Sequence, residues 1–581
     1  MFDRSAFGAG LHGAALTCLL ALSSSGAAGA DPESPEDKAS KDRGFNYGYG
    51  LNVNVGDRQA SFWNRALRKV YRPYRSPFDT EAEIRSAPAS ARAAPLAAAV
   101  APGNAQATGS FGPLLPWPII PVHVALLPDG RVMSYGSDQM GNQSGLLFYD
   151  LWDPRAPYPT SHTVLPNTTG TDLFCASLGL LPNGSLLLTG GDLTVQGVRN
   201  YSRADVNVFT PSSNTLTRIG TMAYARWYSS DVPLPNGDHL IIGGRSSKNP
   251  VVAVQTPEYY SFGQNMFTTL SGATMPPGYY WVYPRTYVMS DGAPMFFALT
   301  GGIARLSLSG QGGFTVLQQK AAPSRADEPA VMNGPGRMFS IRAFVSSDVS
   351  SATYTFQSVD ASGPAPLVAT LPSPPGAGRL WSSLTTLADG KIFLNGGSLT
   401  PNVMTLVSYQ SQIYDPNAQT WTPGPINATP RLYHSVALLL PDATVLTGGG
   451  GAPGPFRELN GEIYYPPYLY NADGSLATRP VIVAAPSTVS AGTNFGLAMA
   501  DATPISAVNL IRMSAVTHSM NTQGRFLPAA FQQIGNQLSV TAPANFNDFL
   551  TGYWMVFALD AKGVPSVAAS FYVPPTGLAL H

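Results

Sequence analysis

The chain has 581 residues, too many for one hydrophobic core, and its length predicts two or three domains. Charged residues make up only 12%, while glycine (58) and proline (52) are abundant; this excludes an architecture of long helices and suits short strands joined by tight turns. The formal net charge is zero, so there is no electrostatic footprint for nucleic acid, and no apolar run after residue 30 is long enough to span a bilayer.

Residues 1–30 read as a secretory signal peptide. Arg4 opens it, Leu11 to Leu22 is mostly apolar, and Ala28-Gly29-Ala30 offers small residues for cleavage before Asp31. A secreted, extracellular monomer is the expectation. Cys18 leaves with the signal, so the mature chain keeps one cysteine, Cys175, which by itself reads as a buried, inert thiol. Residues 31–110 form a low-complexity linker or arm, charged from Asp31 to Arg43 and rich in alanine and proline from Ser86 to Gly109. The basic, aromatic stretch from Phe62 to Arg72 within it reads as a solvated helix or arm rather than a membrane contact.

From residue 111 a repeat sets the fold. An apolar run leads into an Asn-Gly or Asp-Gly turn, and a second apolar run ends in Gly-Gly. Leu181-Pro182-Asn183-Gly184 leads to Gly190-Gly191, Leu234-Pro235-Asn236-Gly237 to Gly243-Gly244, and Ala388-Asp389-Gly390 to Gly396-Gly397. Such turns between apolar runs are strong hairpin signals. The anchors fall at Gly130, Gly184, Gly237, Gly292, Gly336, Gly390 and Ala443, about 54 residues apart except for one shorter step. The expected fold is all-β: a seven-bladed, kelch-like β-propeller over residues 111–478, then an Ig-like (early-set) β-sandwich over residues 479–575, where the period breaks.

Nine residues before each anchor stand Pro121, Cys175, Tyr228, Tyr283, Asp327, Trp381 and His434. Equivalent positions in successive blades surround a central channel. A packing ring would carry small apolar groups, but this one carries a thiol, phenols, a carboxylate, an indole and an imidazole. Arg226-Trp227-Tyr228-Ser229-Ser230, Arg379-Leu380-Trp381-Ser382-Ser383 and Arg431-Leu432-Tyr433-His434-Ser435 share an Arg-x-x-x-Ser frame around it. The chain has seven histidines. His434 lies in this ring and His518 in the sandwich region, whereas His123, His162 and His239 read as structural or solvated. Two imidazoles and two phenols, from Tyr228 and Tyr433, suit Cu(II) coordination. Tyr433 and His434 are sequence neighbours, so both reach one metal only where the strand has ended or twisted away.

At these residues the chain resembles the galactose oxidase and glyoxal oxidase family of copper-radical oxidases. Phe174-Cys175, Arg226 to Ser230, Arg431 to Ser435 and Thr517-His518-Ser519-Met520-Asn521 carry the likeness, which runs over about residues 111–575. The resemblance implies a copper ion held by Tyr228, Tyr433, His434 and His518. It also implies a protein-derived cofactor, a Cys175–Tyr228 thioether that carries a radical, with Tyr433 as general base. The implied activity is oxidation of a small primary alcohol, aldehyde or carbohydrate, with dioxygen reduced to hydrogen peroxide.

Two departures bear on substrate. Ser246 stands two residues after Gly243-Gly244, where galactose oxidase has a tryptophan shielding the linked tyrosine, and Tyr283-Pro284-Arg285 looks closer to glyoxal oxidases. A glyoxal-oxidase-like substrate is therefore expected ahead of a galactose-oxidase-like sugar alcohol, with Tyr283, Arg285, Asp327 and Trp381 lining the pocket. A non-catalytic propeller for adhesion or polysaccharide binding is the competing reading. A hydrolase lacks its machinery, since Asp327-Glu328 is the only acidic pair near the ring.

Overall fold

A computed structural model describes residues 103–575 except 249, 277–280, 298–301, 319–327, 345–352, 364, 377, 400, 401 and 405. The predicted signal peptide, nearly all of the predicted arm and Asp327 lie outside the described residues. Within them the chain is all-β. Helix is confined to Ala105–Thr108 and a 3₁₀ turn at Pro467–Leu469. No described helix is long and apolar enough to cross a membrane.

Each predicted turn joins two antiparallel strands. Gly184 lies between Ser177–Leu180 and Leu186–Thr189, Gly237 between Thr215–Pro233 and His239–Ser247, and Gly390 between Ser383–Thr386 and Ile392–Asn395. Gly336, the anchor out of step with the period, still joins Ala330–Met332 to Arg337–Phe344. Ala443 joins Ser435–Leu439 to Val445–Gly449 and takes the left-handed conformation (φ 65°) that the other anchors leave to glycine. A Cβ there costs on the order of 1 kcal/mol.

Beyond each hairpin the ladder continues outward through further antiparallel strands. Ile392–Asn395 pairs with Gln410–Asp415, which pairs with Thr420–Ile426. The inner strands are buried along their whole length, and the outer ones alternate or are exposed. That explains why the inner runs read as continuous apolar segments rather than as alternation. Thr215–Pro233 serves two ladders, its first half pairing with Val198–Thr210 and its second with His239–Ser247. At the start of the described chain, Ser110–Phe111 pairs with Asn460–Tyr465, the strand next to Val445–Gly449.

The C-terminal region forms two four-stranded antiparallel sheets. Their shared core includes Phe495, Leu510, Val540, Phe549, Trp554 and Phe571. One excursion leaves this region. Ala515–Thr517 and Met520–Asn521 form a hairpin inserted between the innermost strands of two ladders. It pairs antiparallel with His123–Leu126 and parallel with Ala330–Met332. His518 sits at its tip.

Candidate metal centre

The ring register has a backbone signature. Cys175 (φ 57°), Tyr228 (φ 68°), Tyr283 (φ 42°), Trp381 (φ 61°) and His434 (φ 69°) are all left-handed. Non-glycine residues seldom take this conformation, and such strain gathers at functional sites. It places each residue at a kink in or just ahead of an inner strand and frees its side chain from strand alternation. Backbone bonds tie neighbours together: the Tyr228 amide donates to the Cys175 carbonyl at 3.2 Å, and the Tyr283 amide to the Tyr228 carbonyl at 2.8 Å. His518 (φ 46°) and Ser519 (φ 61°) form the two-residue loop between paired Thr517 and Met520. Both left-handed, they make a type I′ turn, which ordinarily favours Asn-Gly.

Both imidazoles are oriented by second partners. His434 Nδ1 donates to the Gly451 carbonyl at 2.6 Å, and the Gly451 amide returns a bond to the Tyr433 carbonyl at 2.9 Å. Thr517 Oγ1 donates to the Val122 carbonyl at 2.9 Å, so it must accept from His518 Nδ1, 2.5 Å away. Each ring thereby turns an unprotonated Nε2 inward, the arrangement that fixes tautomers in metal-binding histidines. Burial keeps both neutral: His434 is pushed down to about 3, and His518 lies well below the usual range, burial again being the main cause.

These nitrogens meet Cys175. Its Sγ lies 4.0 Å from His434 Nε2 and 3.8 Å from His518 Nε2, and all three ligand atoms fall within 4.8 Å of one another. Two atoms bonded to one first-row metal at about 2.0–2.3 Å sit roughly 3–4.5 Å apart, so the spacing fits a metal. The Tyr228 and Tyr433 hydroxyls touch one another at this centre. Tyr433 stacks on His434 with ring centres 3.7 Å apart. The strand begins only at Ser435, which lets these two neighbours face the same way. Cys175 and Tyr228 share one buried cluster with Phe174, Trp227 and Tyr283. Burial raises the Cys175 thiol well above its ordinary value, with Asp192 and Asp172 adding to the shift.

The residues expected to line the pocket separate. Trp381 packs 4.4 Å from the Tyr433 ring and Tyr283 lies 4.3 Å from the His518 ring, so both border the centre. Arg285 has another task. It is buried, and its guanidinium donates to the carbonyls of Tyr283 (3.0 Å), Glu328 (2.7 Å) and His518 (3.0 Å). It braces the backbone of the hairpin tip. His162 and His239 are structural, paired with Asp150 and Asp231.

Two neighbours lie outside the predicted set of site residues. Trp227 packs edge-on to Tyr228 with ring centres 3.9 Å apart, and the Arg245 guanidinium lies 4.2 Å above the Trp227 ring. Its place beside Tyr228 in Arg226-Trp227-Tyr228 was the available signal. His123 is fully buried, stacked 4.5 Å from Tyr135 and 5.5 Å from the His518 ring. Nothing in its local sequence marks it.

Comparison with known proteins finds matches in both the repeat region and the C-terminal region. The family profile "Glyoxal oxidase N-terminus" matches residues 157–305, and "Galactose oxidase-like, Early set domain" matches residues 479–573. These matches bear out the resemblance to the galactose oxidase and glyoxal oxidase family of copper-radical oxidases. A galactose oxidase of Gibberella zeae is 29% identical, over 86% of this chain and 74% of its own. An aldehyde oxidase, GLOX, of Vitis pseudoreticulata is 26% identical over 68% of this chain and 81% of its own. Among solved structures, a fungal alcohol oxidase in complex with copper superposes with a TM-score of 0.70 and 26% identity, covering 80% of this chain and all of that one. The family's galactose oxidase-like fold therefore extends to this chain.

Proposed function

We propose that this protein is a secreted copper-dependent oxidase that converts a small primary alcohol or aldehyde and reduces dioxygen to hydrogen peroxide. One observation carries the reading: two Nε2 atoms, a thiol and two phenol hydroxyls converge at one point, drawn from the left-handed kinks of three ladders and the tip of a hairpin. Tyr228, Tyr433, His434 and His518 would hold copper, which supplies a one-electron couple and polarises a bound oxygen. Alcohol oxidation releases two electrons, so a second one-electron store is needed. A thioether between Cys175 and Tyr228 makes that phenol easier to oxidise and provides the store. Tyr433, in hydroxyl contact with Tyr228, takes the alcohol proton as general base, and Tyr228 removes the hydrogen atom from carbon. The balance is closed: alcohol plus dioxygen gives aldehyde plus hydrogen peroxide, and an aldehyde reacts as its hydrate, so that aldehyde, water and dioxygen give the carboxylic acid plus hydrogen peroxide.

The repeat of hairpin-centred ladders, and the pairing of Ser110–Phe111 with Asn460–Tyr465, support seven propeller blades over residues 111–478 followed by a sandwich over residues 479–575. The apolar segment within residues 1–30 supports secretion. Trp381 and Tyr283 would form the walls beside the reacting carbon. Relatives named for galactose, aldehyde and alcohol oxidation leave the oxidase class common to all.

The test is peroxide release from copper-loaded protein offered aldehydes, simple alcohols and sugars. Tyr228→Phe is expected to lower turnover on every substrate by at least about a thousandfold while the folded state survives. Unchanged turnover in that variant would remove the radical assignment.

A further inference from the structure

The base of the hairpin that presents His518 carries two buried cations. Arg512 closes the strand Ile505–Arg512, and Arg525 immediately precedes Phe526–Ala529. The Arg512 amide donates to the Arg525 carbonyl at 3.1 Å, so the two residues face each other across the base. Each is 2% exposed.

Their guanidinium groups donate to carbonyls. Arg512 reaches Gln523 (3.2 Å) and Thr551 (3.1 Å), and Arg525 reaches Thr522 (3.3 Å), Gly524 (2.8 Å) and Val288 (3.3 Å). Among the described residues neither has a carboxylate partner. Asp548 spends its oxygens on Ser290, Gly336 and Asn545, and Asp231 pairs with His239. The Nε of each arginine is buried with no acceptor.

Both arginines line one buried cavity of about 30 Å³. Ser514 lines it too. Its Oγ accepts from Asn521 at 2.9 Å and keeps its own hydrogen free to donate. Two like charges crowded in such a place are costly even though the Asp548 and Asp231 carboxylates act on Arg525 and Arg512 without bonding to them, and a guanidinium does not escape by deprotonation at neutral pH. Burial and the Arg525 charge together push Arg512 down only to about 9.

We propose that this cavity binds a small inorganic anion of the halide class, held by the Nε–H groups of Arg512 and Arg525 and the hydroxyl of Ser514. The volume admits one halide or about two to three waters. The donor set selects the halide over water, because two Nε–H groups and a hydroxyl offer no acceptor to a water's own hydrogens. The bound anion ties the two strands at the base of the hairpin together and so holds the support from which His518 projects. The site depends on the fold and stands apart from the copper reading.

The direct test is crystallisation of the full-length, copper-loaded protein with sodium bromide as the sole halide, with data collected at the bromine edge. An anomalous peak within hydrogen-bond reach of both Nε atoms is expected; ordinary water density there would overturn the proposal. Thermal unfolding at fixed ionic strength, chloride against gluconate, should show a saturating rise in Tm of about 1–2 °C. Arg525→Lys keeps the charge but removes the Nε–H, and should abolish that rise. A bromide peak with no halide dependence of Tm in the wild-type chain would mean an adventitious ion only and would also overturn it. The two wild-type measurements decide the matter even if the variant fails to fold.

Discussion

At the scale of single residues, the covering of Tyr228 is the clearest departure from expectation. Ser246 cannot shield that ring: its hydroxyl lies 3.4 Å from the Val252 carbonyl. Trp227 packs against the ring instead, under the Arg245 guanidinium, whose contact with an aromatic face contributes about 0.5–2 kcal/mol. Trp227→Ala is therefore expected to shorten the life of the oxidised Tyr228 cofactor and to lower turnover about tenfold or more, with copper content unchanged. Visible absorption of the radical followed over time checks this, and an unaltered decay would contradict it. Asp192 offers a pH test. Its carboxyl and that of Asp172 share the single guanidinium of Arg199, at 2.8 and 2.5 Å. Burial first, and then the Asp172 charge, raise Asp192 to about 6. The folded value exceeds the unfolded one, so the stabilisation from this proton is complete below about pH 4 and lost as pH rises through 6. Asp192→Asn removes the titration. Between pH 4 and 7.5 the wild-type unfolding free energy should fall by about 2–3 kcal/mol relative to the variant. Denaturant titrations of both proteins at the two pH values check it.

At the scale of elements, the Arg-x-x-x-Ser frame proves to be a tie within each ladder. Arg226 bonds the Gly243 and Thr256 carbonyls and pairs with Glu258; Arg431 bonds the Gly449 and Asn460 carbonyls and pairs with Glu462. Arg379 repeats the carbonyl bonds, to Gly396 and Gln410, but Gln412 stands where a glutamate would complete it. Gln412 Oε1 and Arg379 Nε are left buried without partners, and burial pushes Arg379 down to about 10. Breaking an intact tie with Glu258→Gln should cost about 3–5 kcal/mol, because it strands a buried cation. Gln412→Glu should gain about 1 kcal/mol by supplying the missing charge. Denaturant midpoints of the two variants test the pair; opposite signs would refute the assigned equivalence. Hairpins were legible in the sequence because Asn-Gly and Asp-Gly turns are local. The left-handed register could be reached by counting back from those turns. The task of Arg285 could not, because the carbonyls it braces belong to segments more than 40 and 200 residues away.

At the scale of the whole molecule, the fold brings distant segments to one point. The ladders place Cys175, Tyr228 and the Tyr433–His434 pair at adjoining kinks, and the C-terminal region contributes His518 on a hairpin wedged between His123–Leu126 and Ala330–Met332. Sequence pattern marked His518 as one of few histidines and resemblance assigned it to the metal. Its route, including a parallel pairing of Ala330 with Met520, depends on long-range contacts that carry no periodic signal. The proposed chemistry rests on Cys175 being neither an inert core thiol nor a lasting metal ligand. Mass spectrometry of peptides from copper-loaded, oxygen-exposed protein tests that directly. A joined peptide pair containing Cys175 and Tyr228, lighter by two hydrogens than the separate peptides, is the predicted result. A Cys175 thiol still free after copper and oxygen treatment would contradict it.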